Sequence, residues 1–273
     1  MSEGKAKLLR ETAEIAFTEI KRFLEPRLME TLSLRRIMAP LFLSVGSPLL
    51  DVRWPGVRIY LSGSGEEVEL IGSLDVWLRG QLTRYDIAPG FGVFTIMNAI
   101  RPQLPHNSTS SPHVAAWAWQ QAVEPSQLTE KFLVDAARKI HTLIFDTERM
   151  LLALFPHMHA TVSKEIRIMH EGQLTALYPS FEGERRIYEH LYPESDDQDD
   201  ASLRSSPMML LVRDTDAEAL QGEFWIWNRL LRRPVMVADI AARGADSVGR
   251  PSVGGNIYRG TLSLQLLQQD RLI

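Results

Sequence analysis

Arg101 is the residue whose surroundings most favour chemistry on a phosphate or a carboxylate. It follows the apolar run Val93–Ile100 and precedes a loop rich in serine and proline, Gln103–Ser111. A guanidinium at the end of a strand can make two parallel hydrogen bonds to either anion. Taken alone, such an arginine more often forms a surface ion pair, so its neighbours in the sequence decide between the two interpretations.

Other motifs exclude several kinds of site. The chain has no cysteine, which excludes disulfides, thiolate metal sites and a cysteine nucleophile. His157 and His159 lack a third ligand at the spacing of a zinc site and are interpreted as loop residues. The acidic run Glu194–Asp200 lacks the glycine and the spacing of a calcium loop, so we interpret it as solvated. The sequence contains neither a serine nucleophile elbow nor a phosphate-binding P-loop.

Composition predicts one soluble domain over residues 1–273, with an acidic flexible loop at 193–206. The 273 residues are 45% hydrophobic, which is enough for a sizeable core. A net charge of -4 provides no long-range attraction to nucleic acid. No apolar run approaches the ~20 residues that span a bilayer, and the residues after Met1 lack an apolar signal core. We therefore expect a cytoplasmic protein with neither a nucleic-acid partner nor a membrane partner.

The first third of the chain predicts a helix, a strand and a hairpin. Apolar residues recur at helical spacing over 5–31, where Pro26 is expected to kink or end the helix. A strand is predicted over 34–39. The turn Ser62–Gly65 separates two runs of strand type and therefore predicts a hairpin. Ser73 lies where it can cap a following helix.

The rest of the chain predicts more strands than crossover helices. A long helix is expected to be capped by Ser126 and to end at Pro156, and a glycine turn at 254–255 is expected to lead into a last helix, Thr261–Gln269. The predicted strands are Val93–Ile100, Val114–Trp119, 208–213, 223–228 and 235–240. This pattern favours an α+β fold with an antiparallel sheet flanked by helices.

Several blocks, in order and spacing, resemble the ammonia-dependent aspartate–ammonia ligase family, asparagine synthetase A. The blocks are Ala39–Gly46, Gly72–Arg79, Gly90–Pro102, Val114–Trp119, Gly222–Asn228 and 254–260. The resemblance is firmest over 34–155 and returns at 222–270. It implies the class II aminoacyl-tRNA-synthetase catalytic fold. It also implies a homodimer that pairs through the first helix and the strand ending at Pro40.

The family's reaction is adenylation of the aspartate side-chain carboxylate by ATP with Mg²⁺, followed by attack of ammonia. By resemblance, Arg101 is the catalytic and ATP-binding arginine that contacts phosphate, and Asp51 is a catalytic aspartate in the wall of the reaction site. Ser73 matches a serine of the substrate pocket. Glu223 matches an acidic residue near the metal. Arg101, Asp51 and Ser73 are alternatively interpreted as polar groups inherited with the scaffold.

Three substrate-binding positions differ from the family pattern. Leu78 stands where the family has a lysine, and Ala116 and Ala118 stand where it has a glutamine and an aspartate. Without these groups the ammonium and carboxylate of aspartate would be desolvated without partners, at a cost of roughly several kcal/mol. The differences indicate either a less polar substrate, with Ala116 and Ala118 lining its pocket, or a loss of catalysis.

Two positions for the metal and the phosphates also differ. Met236 stands where the family has a magnesium-binding glutamate, and a thioether is a poor ligand for a hard cation. Thr261 stands where the family has an arginine on the terminal phosphates. Arg259, two residues earlier, is the candidate to replace that arginine.

Two hypotheses therefore remain open. One is an ATP-dependent ligase that joins a carboxylic acid other than aspartate to ammonia or another amine. The other is a catalytically inactive relative that serves as a binding or regulatory subunit. Aminoacylation of tRNA is disfavoured because no basic or anticodon-reading domain is visible. For the ligase, Arg101→Ala is predicted to abolish nucleotide binding with almost no change in melting temperature.

Overall fold

An eight-stranded sheet forms the centre of the structure, which is a computed structural model describing residues 3–104, 111–156, 158, 160–192, 206–215, 219–229 and 231–267. In spatial order its strands are β1 (Leu34–Arg36), β5 (Gly92–Ile100), β6 (His113–Ala122), β11 (Ser252–Tyr258), β10 (Arg233–Arg243), β9 (Ala219–Asn228), β8 (Ser206–Thr215) and β7 (Val162–His170). Only the outermost pairs, β1 with β5 and β7 with β8, are parallel. The predicted α+β fold with an antiparallel sheet is confirmed.

In the described parts of the chain, the remaining elements are a small sheet, six α-helices and one 3₁₀ turn. The small sheet has the order β2-β4-β3, with β2 (Phe42–Ser44), β3 (Arg58–Leu61) and β4 (Glu66–Leu70). The predicted hairpin is therefore formed by β3 and β4. The helices are α1 (Glu3–Thr31), α2 (Asp75–Arg84), α3 (Glu130–Leu154), α4 (Glu171–Leu177), α5 (Glu184–Leu191) and α6 (Arg259–Leu266). Within the described residues, no helix is long and apolar enough to cross a membrane.

The two faces of the large sheet are buried differently. Helices α1, α3 and α6 pack on one face around Phe94, Trp117 and Trp119, which are almost completely buried. Since side chains alternate along a strand, Ala116 and Ala118 point to the other face. There α2 covers β5 and β6, α4 covers β7 and β8, and α5 packs against β10. The middle of this second face, on β9, β10 and β11, lies between these helices.

Several predicted boundaries need correction. Pro26 lies inside α1 and does not end it, because α1 is anchored on both sides of the proline by the buried Leu24 and Leu28. The cap of α3 is Thr129, whose hydroxyl accepts from the Phe132 N–H at 3.2 Å. The predicted cap, Ser126, lies in a preceding 3₁₀ turn.

Other boundaries move by a few residues. The first strand ends at Arg36 rather than at residue 39, and α3 ends at Leu154, two residues before the predicted proline. The last helix is α6, which begins at Arg259. Ser206 begins β8, whereas the rest of the predicted acidic loop, 193–205, lies outside the described residues, as do both loop histidines. The single domain remains a prediction.

The glycine pair at 254–255 forms no turn but lies within β11. A Cβ on Gly255 would stand 2.1 Å from the backbone carbonyl oxygen of Asp239 on β10. A Cβ on Gly254 would stand 2.2 Å from the side-chain amide carbon of Gln120 on β6. Both positions therefore need glycine because neighbouring strands approach closely. The turn prediction was wrong since a sequence does not show such an approach.

Candidate active site

Polar side chains form a partly exposed floor at the middle of the second sheet face. Glu223 lies opposite Asp239 in register, Asp239 opposite Asn256, and Asn256 opposite Ala118. Directly opposed residues project from the same face. The first three retain partial exposure, whereas Ala118 is buried. The accessible floor is therefore on β9, β10 and β11, beside the start of α2, where Tyr258 is also partly exposed.

Arg101 is held beside this floor in a fixed orientation. Its backbone N–H donates to the carbonyl of Pro112 at 2.7 Å, which ties the end of β5 to the start of β6. Its Nε donates to the carbonyl of Gly72 at 2.7 Å, and its guanidinium lies 4.1 Å from the ring centroid of Trp54. Arg101 is only 5% exposed and thus does not face bulk solvent. These contacts pre-orient its guanidinium.

Tyr258 connects Arg101 to Asp239. The Tyr258 hydroxyl donates to Oδ2 of Asp239 and also contacts Arg101. The backbone N–H and the side-chain Nδ2 of Asn256 both donate to Asp239 Oδ1 at 3.1 Å. Burial raises the pKa of Asp239, although the hydrogen bonds from Tyr258 and Asn256 oppose that effect. Burial, together with the charge of Asp239, raises the pKa of Tyr258 well above its ordinary value, so the phenol keeps its proton.

Asp51 is fully engaged by Arg53. Nε of Arg53 donates to Asp51 Oδ1 at 2.9 Å, and Nη2 donates to Oδ2 at 2.8 Å. Burial raises the pKa of Asp51, but the hydrogen bonds and charge of Arg53 outweigh it and hold that pKa below its ordinary value. The side chain of Asp51 is 2% exposed. The structure thus makes Asp51 one half of a buried ion pair.

Asp75, at the first turn of α2, joins this ion pair to the sheet. Its Oδ2 accepts from Arg53 Nη2 at 2.8 Å and lies 3.4 Å from Nε of Arg243. Its Oδ1 accepts from Nε2 of Gln120 at 2.5 Å. Ser73 is buried between the two aspartates, because its hydroxyl bonds to Asp51 and accepts from the Asp75 N–H at 3.2 Å. Ser73 therefore orders the start of α2.

The two alanines predicted to line a substrate pocket lie beneath α2. Ala116 is 0% exposed and Ala118 is 1% exposed. They belong to an apolar cluster with Leu74 and Leu78, which are also almost completely buried. The space that smaller side chains leave on β6 is thus filled by α2. In this structure neither alanine borders the accessible floor.

The residues around Glu223 do not fit a magnesium site. Oε2 of Glu223 accepts from Arg213 Nη2 at 3.3 Å and from Trp225 Nε1 at 2.9 Å. The nearby Met236 packs with the apolar cluster under α4 and α5. Among the residues that the structure describes, no three His, Cys, Asp or Glu side chains are grouped so that they could hold a metal ion. Glu223 is thus engaged by Arg213, which also pairs with Glu171.

The structure places Arg259 on the other side of the sheet from Arg101. Its Nη2 donates to Oδ1 of Asn98 at 2.9 Å. Asn98 alternates along β5 with Met97 and Ala99, which face α2, so it belongs to the opposite side of the sheet. Burial lowers the pKa of Arg259. The geometry gives no support to a shared phosphate site for the two arginines.

Sequence reasoning missed five residues of the arrangement: Asp75, Gln120, Asp239, Arg243 and Tyr258. A signal existed for two of them. Gln120 is two residues after Ala118 and so projects from the same face of a strand. Asp75 stands one turn before Leu78 on the same helix. Asp239, Arg243 and Tyr258 join the site only through strand pairing across β10 and β11, which local sequence does not specify.

Comparison with known proteins supports the resemblance. The family model described as aspartate-ammonia ligase matches residues 11–194. The aspartate–ammonia ligase of Bacteroides thetaiotaomicron is 26% identical over 259 residues, covering 84% of this chain and 72% of that protein. The enzyme of that name from Ruminiclostridium cellulolyticum is 32% identical over 177 residues, covering 63% of this chain and 53% of that protein.

Solved structures confirm the predicted class II synthetase fold. The asparaginyl-tRNA synthetase of Entamoeba histolytica in complex with asparaginyl-adenylate matches with a TM-score of 0.64 at 9% identity. The match covers 99% of this chain and 66% of that one, slightly under two thirds. A second solved structure of the Entamoeba histolytica asparaginyl-tRNA synthetase matches with a TM-score of 0.66 at 10% identity. At this identity the likeness concerns the fold alone.

Proposed function

Because the chain belongs to the aspartate-ammonia ligase family, we propose that it is an ATP-dependent ligase that adenylates a carboxylic acid and joins it to ammonia or another amine. In the first step, a carboxylate oxygen attacks the α-phosphorus of ATP and pyrophosphate leaves. In the second, the amine nitrogen attacks the acyl carbon and AMP leaves. Both steps need positive charge on the α-phosphate and a site that excludes bulk water.

The fixed guanidinium of Arg101 is the observation that carries this proposal. Gly72, Trp54 and Tyr258 hold it from three directions at the edge of a partly exposed floor. A pre-oriented donor stabilises phosphate charge without reorganising during the reaction. The residue is buried and makes no salt bridge among the described residues, so its charge remains available to an anion.

We propose that the acid is not free aspartate. The positions at which the family holds the polar end of aspartate are Leu78, Ala116 and Ala118, all covered by α2. An aspartate placed there would lose hydration of its ammonium and carboxylate without gaining partners, a cost of roughly several kcal/mol. The acid instead lies over β10 and β11.

A catalytically inactive paralogue is the second candidate. Two observations favour it: the apolar packing under α2, and the pairing of Glu223 with Arg213 where the family implies a metal ligand. Such a protein would retain the fold as a binding or regulatory subunit. It would release neither AMP nor pyrophosphate with any acid.

The two candidates are separated by measuring pyrophosphate release. Wild-type protein is mixed with ATP, Mg²⁺, hydroxylamine as the amine, and each of a panel of carboxylic acids that includes aspartate. Pyrophosphate and hydroxamate formed with an acid other than aspartate support the ligase. Calorimetry that detects no uptake of millimolar ATP, with or without Mg²⁺, rules it out. Arg259→Ala is the control, since that arginine lies on the opposite face.

We also propose that the protein is a homodimer formed through α1 and the segment ending at Pro40. Next to this proline, Met38 is 94% exposed and Leu41 is 63% exposed, so apolar surface is available there. Light scattering tests the mass, and Met38→Glu is expected to weaken the dimer. A monomeric wild type would contradict the proposal. Location in the cytoplasm remains a prediction.

A further inference from the structure

Within the residues that the structure describes, the site contains four carboxylates, and three of them are paired with arginine. Asp51 and Asp75 share Arg53, and Glu223 pairs with Arg213. The fourth is Asp239, which is partly exposed on the floor.

The partners of Asp239 are all uncharged. Its hydrogen-bond donors are the Tyr258 hydroxyl and the two N–H groups of Asn256. Within the described part of the chain, no lysine or arginine lies within 4.0 Å of its oxygens. An ionised Asp239 therefore keeps a negative charge that no neighbouring cation neutralises by direct contact.

We propose that Asp239, rather than Asp51, binds the attacking amine and accepts its proton. This inference rests on the proposed ligase function. As the amine nitrogen forms its bond to the acyl carbon, the bond from that carbon to the phosphate oxygen breaks, and AMP leaves with the electron pair. The proton released from nitrogen passes to the Asp239 carboxylate and then to water. The products are an amide, AMP and one proton.

The hydrogen-bond capacity of Asp239 leaves room for this amine. A carboxylate has roughly four lone-pair sites. The two N–H groups of Asn256 fill Oδ1, and the Tyr258 hydroxyl fills one site of Oδ2. Asn256 Nδ2 also reaches Oδ2, at the long distance of 3.4 Å, so an incoming N–H donor competes for the second site of Oδ2 only with that contact.

The charges that face Asp239 also favour an amine. Asp75 at the start of α2 repels its negative charge, and Arg101 attracts it through Tyr258. Glu223, opposite on β9, pairs with Arg213, which it shares with Glu171. An ammonium group between Asp239 and Asp75 would face two carboxylates, which favours a cation at this point of the floor. Burial raises the pKa of Asp239, which makes the group a stronger base.

Asp51 is the aspartate that the family resemblance places in the wall of the reaction site. It has neither an oxygen open to a new N–H donor nor a raised pKa. Its two oxygens are engaged by Arg53, and its side chain is almost completely buried. The pKa of Asp51 lies below its ordinary value, which makes it a weaker base. Separating it from Arg53 would leave a buried carboxylate without its cation.

Ammonium chloride is the probe in an experiment that needs no knowledge of the acid. The protein is labelled with carboxyl ¹³C aspartate, and the Asp239 signal is assigned as the one missing in Asp239→Asn. Ammonium, titrated against an equal concentration of potassium, is expected to shift this signal and leave that of Asp51 in place. A shift of the Asp51 signal alone, or of neither signal, overturns the proposal. If Asp239→Asn does not fold, Asp239→Ser replaces it for the assignment.

A kinetic experiment distinguishes failure of this proposal from failure of the ligase proposal. With an acid that supports turnover, Asp239→Asn should slow amide formation about 100-fold or more beyond any change in pyrophosphate release, the usual range for losing a general base. Wild-type amide formation in this variant contradicts the role of Asp239. Absence of pyrophosphate release from the wild type with every acid contradicts the ligase, while the ammonium titration still tests the binding site.

Discussion

Replacing Arg101 by alanine is expected to lower both stability and nucleotide affinity. The sequence alone predicts a nearly unchanged melting temperature, whereas the structure predicts a decrease because the side chain is 5% exposed and bonded. Loss of the side chain leaves the carbonyl of Gly72 without a donor, which costs ~1–3 kcal/mol of stability. It also removes the cation–π contact with Trp54, which contributes ~0.5–2 kcal/mol. Relief of a buried charge offsets part of this.

The net effect is therefore a decrease of about 1–3 kcal/mol in the free energy of unfolding. For a chain of this size that corresponds to roughly 2–10 °C in melting temperature. Loss of a charge-assisted bond to phosphate costs a further ~1.5–3 kcal/mol of binding free energy, so the dissociation constant of ATP should rise about 10- to 150-fold.

Calorimetry with ATP well below the melting temperature of the variant measures the affinity, and thermal unfolding measures the stability. Arg259→Ala is the matched control, because it removes the same charge from the other face of the sheet. That control is expected to bind ATP like the wild type. Wild-type affinity in Arg101→Ala would show that the arginine does not contact phosphate. An unchanged melting temperature would refute the packing argument.

Three further predictions concern stability, measured by urea unfolding. Gly255→Ala should lower the free energy of unfolding by more than about 4 kcal/mol, because the new Cβ would lie 2.1 Å from the Asp239 carbonyl oxygen. Gly244→Ala is the control, since a Cβ there meets nothing within 4 Å, and it should change stability by at most about 1 kcal/mol. Glu148→Ala should lower the free energy of unfolding by about 2–4 kcal/mol, since the buried Glu148 carboxylate accepts from the N–H and hydroxyl of Thr161 at 2.6 and 2.5 Å. A smaller loss would mean that water takes the place of the carboxylate. Burial lowers the pKa of His141 below 6.5, so the unfolded chain binds more protons as pH falls through 6.5. The wild type should then lose more stability than His141→Gln between pH 7.5 and 5.5, and equal losses would contradict the shift.

The elements that the sequence predicts well are those specified by neighbouring residues. The hairpin of β3 and β4 follows from two alternating runs around Ser62–Gly65, and β5 follows from a continuous apolar run. The cap of α3 was misplaced by three residues because Ser126 and Thr129 both have the required hydroxyl, and only the backbone decides between them. Pro26 does not end α1, since packing on both sides of it outweighs its local effect.

The candidate site was predicted less completely than the fold, for a different reason. The sequence shows that Arg101 and Asp51 are charged, but not which of them has a partner. Asp51 is paired only because Arg53, two residues later, turns back onto it. Asp239 depends on contacts with β11, seventeen or more residues away in the chain. Such partners become visible only when strand register is known.

The apolar packing under α2 and the accessible polar residues on β10 and β11 both follow from one change on β6. That change is alanine at positions 116 and 118, where the family has polar side chains. Polar side chains on β6 would need partners or water, and either would hold α2 away from the sheet. With Ala116 and Ala118 there, Leu74 and Leu78 pack directly onto β6, and that half of the face closes. A ligand entering from solvent then meets Asp239 and its neighbours on β11 first. The residues that distinguish one substrate from another should therefore be sought on these two strands, where the side chains remain partly exposed.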